Sequence, residues 1–178
     1  MRDCFHDDSV VRISWINASG PEFVRRSKEM VEQNVQASHR LGPIFVTLAG
    51  DRAIAQLAAI IDIPFTLNGT EVVTSCHHRL LLRAERRESA LRLSGFDAVY
   101  LRDEIAPVIP GQTVAVDPEA VKAFRPSYRL LSYTPKMSGT RMNSQPNHFQ
   151  AAAPDRSRVY TTSYRCASGR PNWLMRSK

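Results

Sequence analysis

The sequence predicts an α+β fold in which a helix precedes a curved antiparallel sheet of long strands. A long apolar run over residues 53–65 leads into an Asn-Gly pair at 68–69, a combination that favours a two-residue hairpin. The return strand is predicted over 71–84, and the charged segment 86–89 makes a second hairpin connection to a last strand over 90–101. A helix followed by strands in this order indicates α+β rather than βαβ organisation.

Local signals also predict the elements before this meander. Apolar residues after an acidic pair predict a short first strand over 5–15. Ser19 and Glu22 have the spacing of a capping box, which predicts that a helix begins there. Apolar residues at helical spacing extend this helix to about residue 38, and a further strand is predicted over 44–48.

The charge distribution divides the chain into two predicted parts. Residues 1–133 carry 16 basic and 16 acidic side chains, whereas 134–178 carry eight basic residues and one acid. The whole net charge of +7 therefore lies in the last 45 residues. This segment contains four prolines and few branched aliphatic residues, which predicts a disordered basic tail of low order attached to a domain over 1–133.

Several functional classes find no support in the sequence. No apolar run approaches the roughly 18 residues of a membrane helix, and no signal peptide is evident, so we predict a cytoplasmic protein without a membrane partner. Three scattered cysteines without a CxxC pair predict neither a disulfide framework nor a zinc site. No phosphate-binding loop is present, and we expect no cofactor and no metal. The tail contains no recognised nucleic-acid-binding module, which leaves only non-specific, salt-sensitive binding to polyanions.

Three short motifs occur in a particular order over about 105 residues. Phe-His-Asp-Asp at 5–8 is similar to an F-x-x-D-A entrance to a first strand. His39 is followed by an apolar strand and by Gly-Asp-Arg-Ala at 50–53. The last hairpin spans 79–96, although residues 88–93 lack the Gly and Trp usual at its turn. In this order the motifs resemble the SnoaL-like branch of the nuclear transport factor 2-like superfamily.

The resemblance implies that packed helices close the curved sheet into a cone-like barrel around a pocket for a small molecule. The family includes cofactor-free cyclases, dehydratases and isomerases, and also non-enzymatic binders and dimerisation modules, so the fold leaves the function open. Family members normally have one or two helices before the first strand, where this chain has only residues 1–4. We therefore expect an N-terminally short homologue, and the change in composition at Thr134 predicts a truncated or frame-shifted version of a longer protein.

Three histidines are the first candidates for acid/base chemistry. His39 is predicted at the C-terminal end of the helix, where the helix dipole favours the imidazolium form, and the resemblance implies a pocket His at this place. The alternative is that His39 only bonds a terminal carbonyl of the helix. His77 and His78 are neighbours on a predicted strand, so only one of them can face a pocket. The more apolar neighbours of His78 favour that residue.

Two further residues complete the predicted site. Asp97 is the candidate that orients an imidazole, and Tyr100 is the candidate hydrogen-bond donor. Asp62 interrupts an apolar strand and is interpreted instead as a surface acid paired with an arginine on the next strand.

The leading functional hypothesis is a small-molecule pocket with cofactor-independent lyase or isomerase chemistry that uses histidine as acid and base. Its substrate would be apolar and carbonyl-bearing or polycyclic. The alternative is a non-catalytic small-molecule-binding or dimerisation module, an inactive truncated homologue that forms a homodimer.

Overall fold

The fold is given by a computed structural model of the chain, which describes residues 1–32 and 37–137, with side chains as far as residue 133. A single 3-10 turn at Arg2–Cys4 precedes the first strand. The elements that follow are β1 (Phe5–Ile13), β2 (Ile16–Ser19), α1 (Gly20–Glu32), β3 (Ser38–Leu41), β4 (Phe45–Ala49), β5 (Arg52–Leu67), β6 (Thr70–Arg87), β7 (Ala90–Pro107), α2 (Pro118–Lys122) and α3 (Arg129–Met137).

One curved, seven-stranded sheet forms the frame of the molecule, in the order β2-β1-β7-β6-β5-β3, with β4 pairing further along β5. The predicted α+β class is confirmed. The sheet is nevertheless mixed, because β1 runs parallel to β7 while all other neighbours are antiparallel. The sheet itself is open, since β2 and β3 are the two ends of the strand order and do not pair within the described ranges.

The long meander of β5, β6 and β7 forms as the sequence predicts. Asn68 and Gly69 have φ values of 49° and 81°, the two successive positive angles that a type I′ turn requires. From this turn β5 and β6 pair without interruption between residues 52–67 and 70–85. The second connection is also a two-residue turn, at Glu88 and Ser89, between β6 and β7.

Helix α1 begins where the capping box predicts, with the N–H of Glu22 donating to Ser19 Oγ at 3.4 Å. It is described to Glu32, and the prediction that it reaches residue 38 is wrong, because Ser38 begins strand β3. His39 therefore lies on strand β3, not at a helix end, so the helix dipole does not act on its ring. Residues 38–41 pair antiparallel with 59–62 of β5, and this ladder of hydrogen bonds with a distant strand prevails over the local helical pattern.

Two hydrophobic clusters cover the concave face of the sheet. The first joins Phe5, Val11 and Ile16 to Phe23 of α1 and to Phe96 of β7. The second packs α2 and α3 onto β5 and β6, through buried side chains that belong to all four elements: Leu67, Val72, Val121 and Tyr133. The helices thus cover two regions of one face and leave a space between them.

The C-terminal part of the fold contains two helices: α2, which is capped, and α3, which crosses the domain boundary predicted at residue 134. Asp117 caps α2 by accepting the N–H of Glu119 at 2.9 Å. Helix α3 passes the boundary predicted at residue 134 and is described to Met137, whereas the rest of the predicted tail lies outside the described residues. The division into two parts stays a prediction. Over residues 1–32 and 37–137, no helix has the length and apolar character needed to cross a membrane.

Candidate functional site

A cavity of about 110 Å³ lies on the concave face, beside the first hydrophobic cluster. Four polar side chains reach its wall: Ser14, His39, His78 and Tyr100. The rest of the wall is mostly apolar, and three of its residues belong to the first cluster: Ile13, Trp15 and Phe96. The others come from helices and strands around the cavity: Met30, Ala37, Ile61, Ile63, Leu80, Ala98 and Leu131. A mostly apolar pocket with a few convergent polar groups is the usual form of a small-molecule site.

His78 is the buried imidazole of this cavity, with 5% of its surface exposed. Alternation along β6 places Thr74, Cys76 and His78 on the concave face. The Nδ1 atom of His78 lies 3.0 Å from the carbonyl oxygen of Cys76, so in the neutral ring Nδ1–H donates and Nε2 keeps its lone pair. Burial lowers the pKa of His78, and the bond to the carbonyl opposes this effect. His78 is therefore suited to accept a proton at Nε2.

His39 reaches the same cavity from the edge strand β3. It pairs with Ile61 of β5, which also lines the cavity, and the two side chains share one face of the sheet. One side of the ring is exposed to solvent, and the other side lies against the cavity wall, where water is excluded. This burial lowers the pKa of His39, whereas the nearby Asp62 carboxylate raises it. A charge on His39 also lowers the pKa of His78, so the two rings are electrostatically coupled.

Tyr100 and Ser14 form the remaining polar part of the wall. Tyr100 lies directly opposite His78 in the register of β6 and β7, because a bulge leaves Leu101 unpaired, and the two ring centroids are 5.6 Å apart. The Tyr100 hydroxyl donates to Ser14 Oγ at 3.0 Å and accepts the Ser14 backbone N–H at 3.0 Å. Burial raises the pKa of Tyr100, so the phenol stays protonated at neutral pH.

Other candidates from the sequence lie outside the cavity wall. His77 faces the opposite side of β6, where its Nε2 is 3.4 Å from a carboxylate oxygen of Glu104. Asp97 also occupies the outer face and accepts hydrogen bonds from Arg12 and Arg83, so its carboxylate does not orient either cavity imidazole.

Asp62 is bound as the sequence interpretation expects. It accepts two hydrogen bonds from Arg40 on the neighbouring strand, at 2.8 and 2.9 Å, and one from Ser75 at 2.5 Å. The Arg40 guanidinium lowers the pKa of this carboxyl.

Ser14 is the cavity residue that the sequence analysis missed. It lies in the turn between β1 and β2 and meets Tyr100 only because β1 pairs with the distant strand β7. The alternation of β1 gives no local signal for this contact, so only a correct prediction of the parallel pair could have found it. Within residues 1–32 and 37–137, no group of three or more His, Cys, Asp or Glu side chains could hold a metal ion.

Comparison with known proteins gives distant similarities. No family model matches the chain. Two curated proteins of Fusarium vanettenii are similar over 132 residues, Pea pathogenicity protein 2 at 25% identity and a PEP2-like protein at 27%. Both alignments cover 72% of this chain and 57% of the relative, so the chain spans little more than half the length of these proteins.

Among solved structures, a type 2 hexachlorocyclohexane dehydrochlorinase (LinA) is similar, with a TM-score of 0.48 and 14% identity, covering 66% of this chain and 78% of that chain. The order of elements in this chain, a helix followed by a long-stranded meander with a cavity on its concave face, agrees with the α+β order that the sequence predicts.

Proposed function

We propose that this chain binds a small, mostly apolar molecule that carries a carbonyl group, and that it moves a proton at the carbon beside that carbonyl. The observation that carries the proposal is that His39 and His78 line one apolar cavity. Proton abstraction next to a carbonyl is a reaction class that two positioned imidazoles can catalyse without a cofactor. Such a step would serve dehydratase, isomerase or cyclase chemistry alike.

The size of the cavity favours a ligand with a single ring. An apolar cavity of roughly 150 Å³ is known to hold one benzene molecule. The volume here is about 110 Å³, so even a single ring would fill the cavity and reach its open side beside His39. A polycyclic ligand would have to extend past the exposed ring of His39 into solvent. We therefore choose a cyclic monoketone, cyclohexanone, as the first probe.

The two histidines take different roles in the proposed step. Nε2 of His78 accepts the proton from the carbon, and the C–H electron pair forms the C=C bond of an enol. The π electron pair of the carbonyl moves to its oxygen, which takes a proton from the imidazolium form of His39 and leaves that ring neutral. His39 contacts solvent and can be reprotonated from it, whereas His78 is enclosed. Each group would contribute about 10²–10⁴-fold to the rate.

Deuterium exchange tests this proposal without knowledge of the natural substrate. Cyclohexanone in D₂O is followed by proton NMR with the wild-type chain, with His39→Ala, and with His78→Gln, which keeps the size and polarity of the buried side chain. We expect faster loss of the protons beside the carbonyl with the wild type, and loss of this acceleration in both variants. His77→Ala is the matched control, since this ring lies on the same strand but on the outer face.

The outcome of the exchange assay separates catalysis from binding. If the wild-type chain exchanges protons no faster than an equal concentration of free imidazole, the catalytic proposal is wrong. Binding of cyclohexanone without exchange would then favour the non-catalytic binding module.

Association through β4 is a second candidate function, favoured by one specific observation. All five residues of this edge strand are exposed, with Phe45 at 69% and Leu48 at 76%. Edge strands that are apolar and uncharged can pair with another chain, and two copies of β4 would meet without charge repulsion. We propose that this edge forms a homodimer.

The test of the dimer is sedimentation equilibrium. Val46→Lys places a charge at the middle of β4 and should give a monomer, while Val108→Lys, at a residue with similar exposure outside this edge, should leave the dimer intact. A monomeric wild-type chain would exclude the dimer.

A further inference from the structure

Ser14 and Tyr100 form a closed pair of hydrogen bonds at the wall of the cavity. The Tyr100 oxygen accepts the Ser14 N–H and the Tyr100 hydroxyl donates to Ser14 Oγ, both at 3.0 Å. Each of the two hydroxyl groups carries one proton, and the proton of Tyr100 lies in the hydrogen bond between the two oxygens. The hydroxyl proton of Ser14 is not part of this hydrogen bond and can be donated to another acceptor.

We infer that the Ser14 hydroxyl is the hydrogen-bond donor that holds the oxygen of the bound molecule, and that Tyr100 is the positioning residue that aims it. The inference rests on the proposed function and adds to it the chemical feature that the site selects, an acceptor oxygen on an apolar ring. Ser14 lines the cavity, and two other donors of its wall already have acceptors: Nδ1–H of His78 bonds the Cys76 carbonyl, and the Tyr100 hydroxyl bonds Ser14 itself.

The location of this donor fits the proposed proton transfer. Tyr100 is the direct cross-strand partner of His78, with the two ring centroids 5.6 Å apart. An oxygen held by the serine bonded to Tyr100 is therefore held near the imidazole that would accept the proton. Tyr100 itself is fixed by its ring contact with Tyr128, at 5.2 Å between centroids.

Donation to an oxygen acceptor can be measured with two probes of nearly equal shape. Cyclohexanone carries the acceptor oxygen, and methylenecyclohexane has a CH₂ group in its place. We expect the wild-type chain to bind cyclohexanone about fivefold to tenfold more tightly, the contribution of one neutral hydrogen bond. Both dissociation constants are measured by ligand-observed NMR.

Variants identify the residue responsible for the preference. Ser14→Ala should lower the ratio of the two dissociation constants several-fold and leave the affinity for methylenecyclohexane unchanged. Tyr100→Phe should reduce the same preference, whereas a merely structural role would weaken both probes equally. Ser89→Ala, an exposed serine in the turn between β6 and β7, should leave both constants unchanged.

The outcomes distinguish this inference from the proposed function. Equal binding of the two probes by the wild type, or an undiminished preference in Ser14→Ala, would overturn the role of Ser14 while the binding pocket remains. Failure of both probes to bind would overturn the proposed function and the inference together.

Discussion

The contact between α1 and the first strand depends on Gly20, the buried first residue of the helix. A Cβ atom at this position would lie 2.6 Å from two ring carbons of Phe5 and would also overlap Ser9 Oγ. Ser9 cannot move easily, because it is buried and donates to the carbonyl of His6 at 2.5 Å. Phe5 in turn packs edge-on against Phe23 of the helix. Gly20→Ala must therefore push α1 away from the sheet.

The expected cost follows from two opposing effects. Overpacking a well-packed core by one methyl group costs about 1–3 kcal/mol. Replacing glycine by alanine in a helix returns at most about 1 kcal/mol, and less at the first residue than in the interior. Since Phe5 and Ser9, which the new Cβ would meet, are both held by their own contacts, we expect the free energy of unfolding to fall by about 2 kcal/mol.

Urea unfolding followed by circular dichroism measures this change. Gly20→Ala should lower the midpoint and leave the slope unchanged, because the surface exposed on unfolding is nearly the same. Gly42→Ala is the matched control, as no contact of its new Cβ would be closer than 3.2 Å, to the Ala58 carbonyl oxygen, and it should cost less than half as much. If Gly20→Ala is as stable as the wild type, or Gly42→Ala loses as much, the described packing of α1 is wrong.

Three further predictions concern the turn, the last helix and pH. Gly69→Val should lower the free energy of unfolding in urea by about 1–2 kcal/mol, because valine is strained at a φ of +81°. No heavy atom lies within 4 Å of the new Cβ, so a steric clash adds nothing to this cost; no loss of stability would contradict the turn. Asp103 accepts the N–H of Leu131 at 2.8 Å, so Asp103→Ala should cost about 1 kcal/mol by thermal unfolding and Asp103→Asn much less; equal losses would contradict a capping role. Burial lowers the pKa of His78 below 6.5, so the unfolded chain binds more protons in acid, and stability should fall as pH drops from 6.5 through the folded pKa. His78→Gln should reduce this fall, measured by urea unfolding at several pH values, and an unchanged fall would contradict the burial of the ring.

Local signals account for the parts of the fold that the sequence predicts well. The Asn-Gly pair at 68–69 needs only its own two residues to adopt positive φ values, and the caps at Ser19 and Asp117 bond within their own helices. Strand alternation is equally local, and it favours the same imidazole, His78, that the structure buries on the concave face.

Contacts between distant segments account for the parts that local patterns could not predict. The parallel pair of β1 and β7 joins residues that are far apart in the chain, such as Val11 and Phe96, and no turn sequence connects the two strands directly and predicts their pairing. Residues 38–41 form a strand because they pair with β5, which no local pattern in the sequence predicts. His39 thus reaches the cavity through strand pairing, and not at the end of a helix as the sequence predicts.

The central claim is that His39 and His78 face one binding site, and NMR of the histidine rings tests it most directly. The Hε1 resonances are assigned by single substitutions and followed while cyclohexanone is added to the full chain. We predict that the signals of His39 and His78 shift with the same dissociation constant, while those of His6 and His77, which lie outside the cavity wall, stay in place. Shifts confined to His77, or different dissociation constants for the two cavity histidines, would contradict the account.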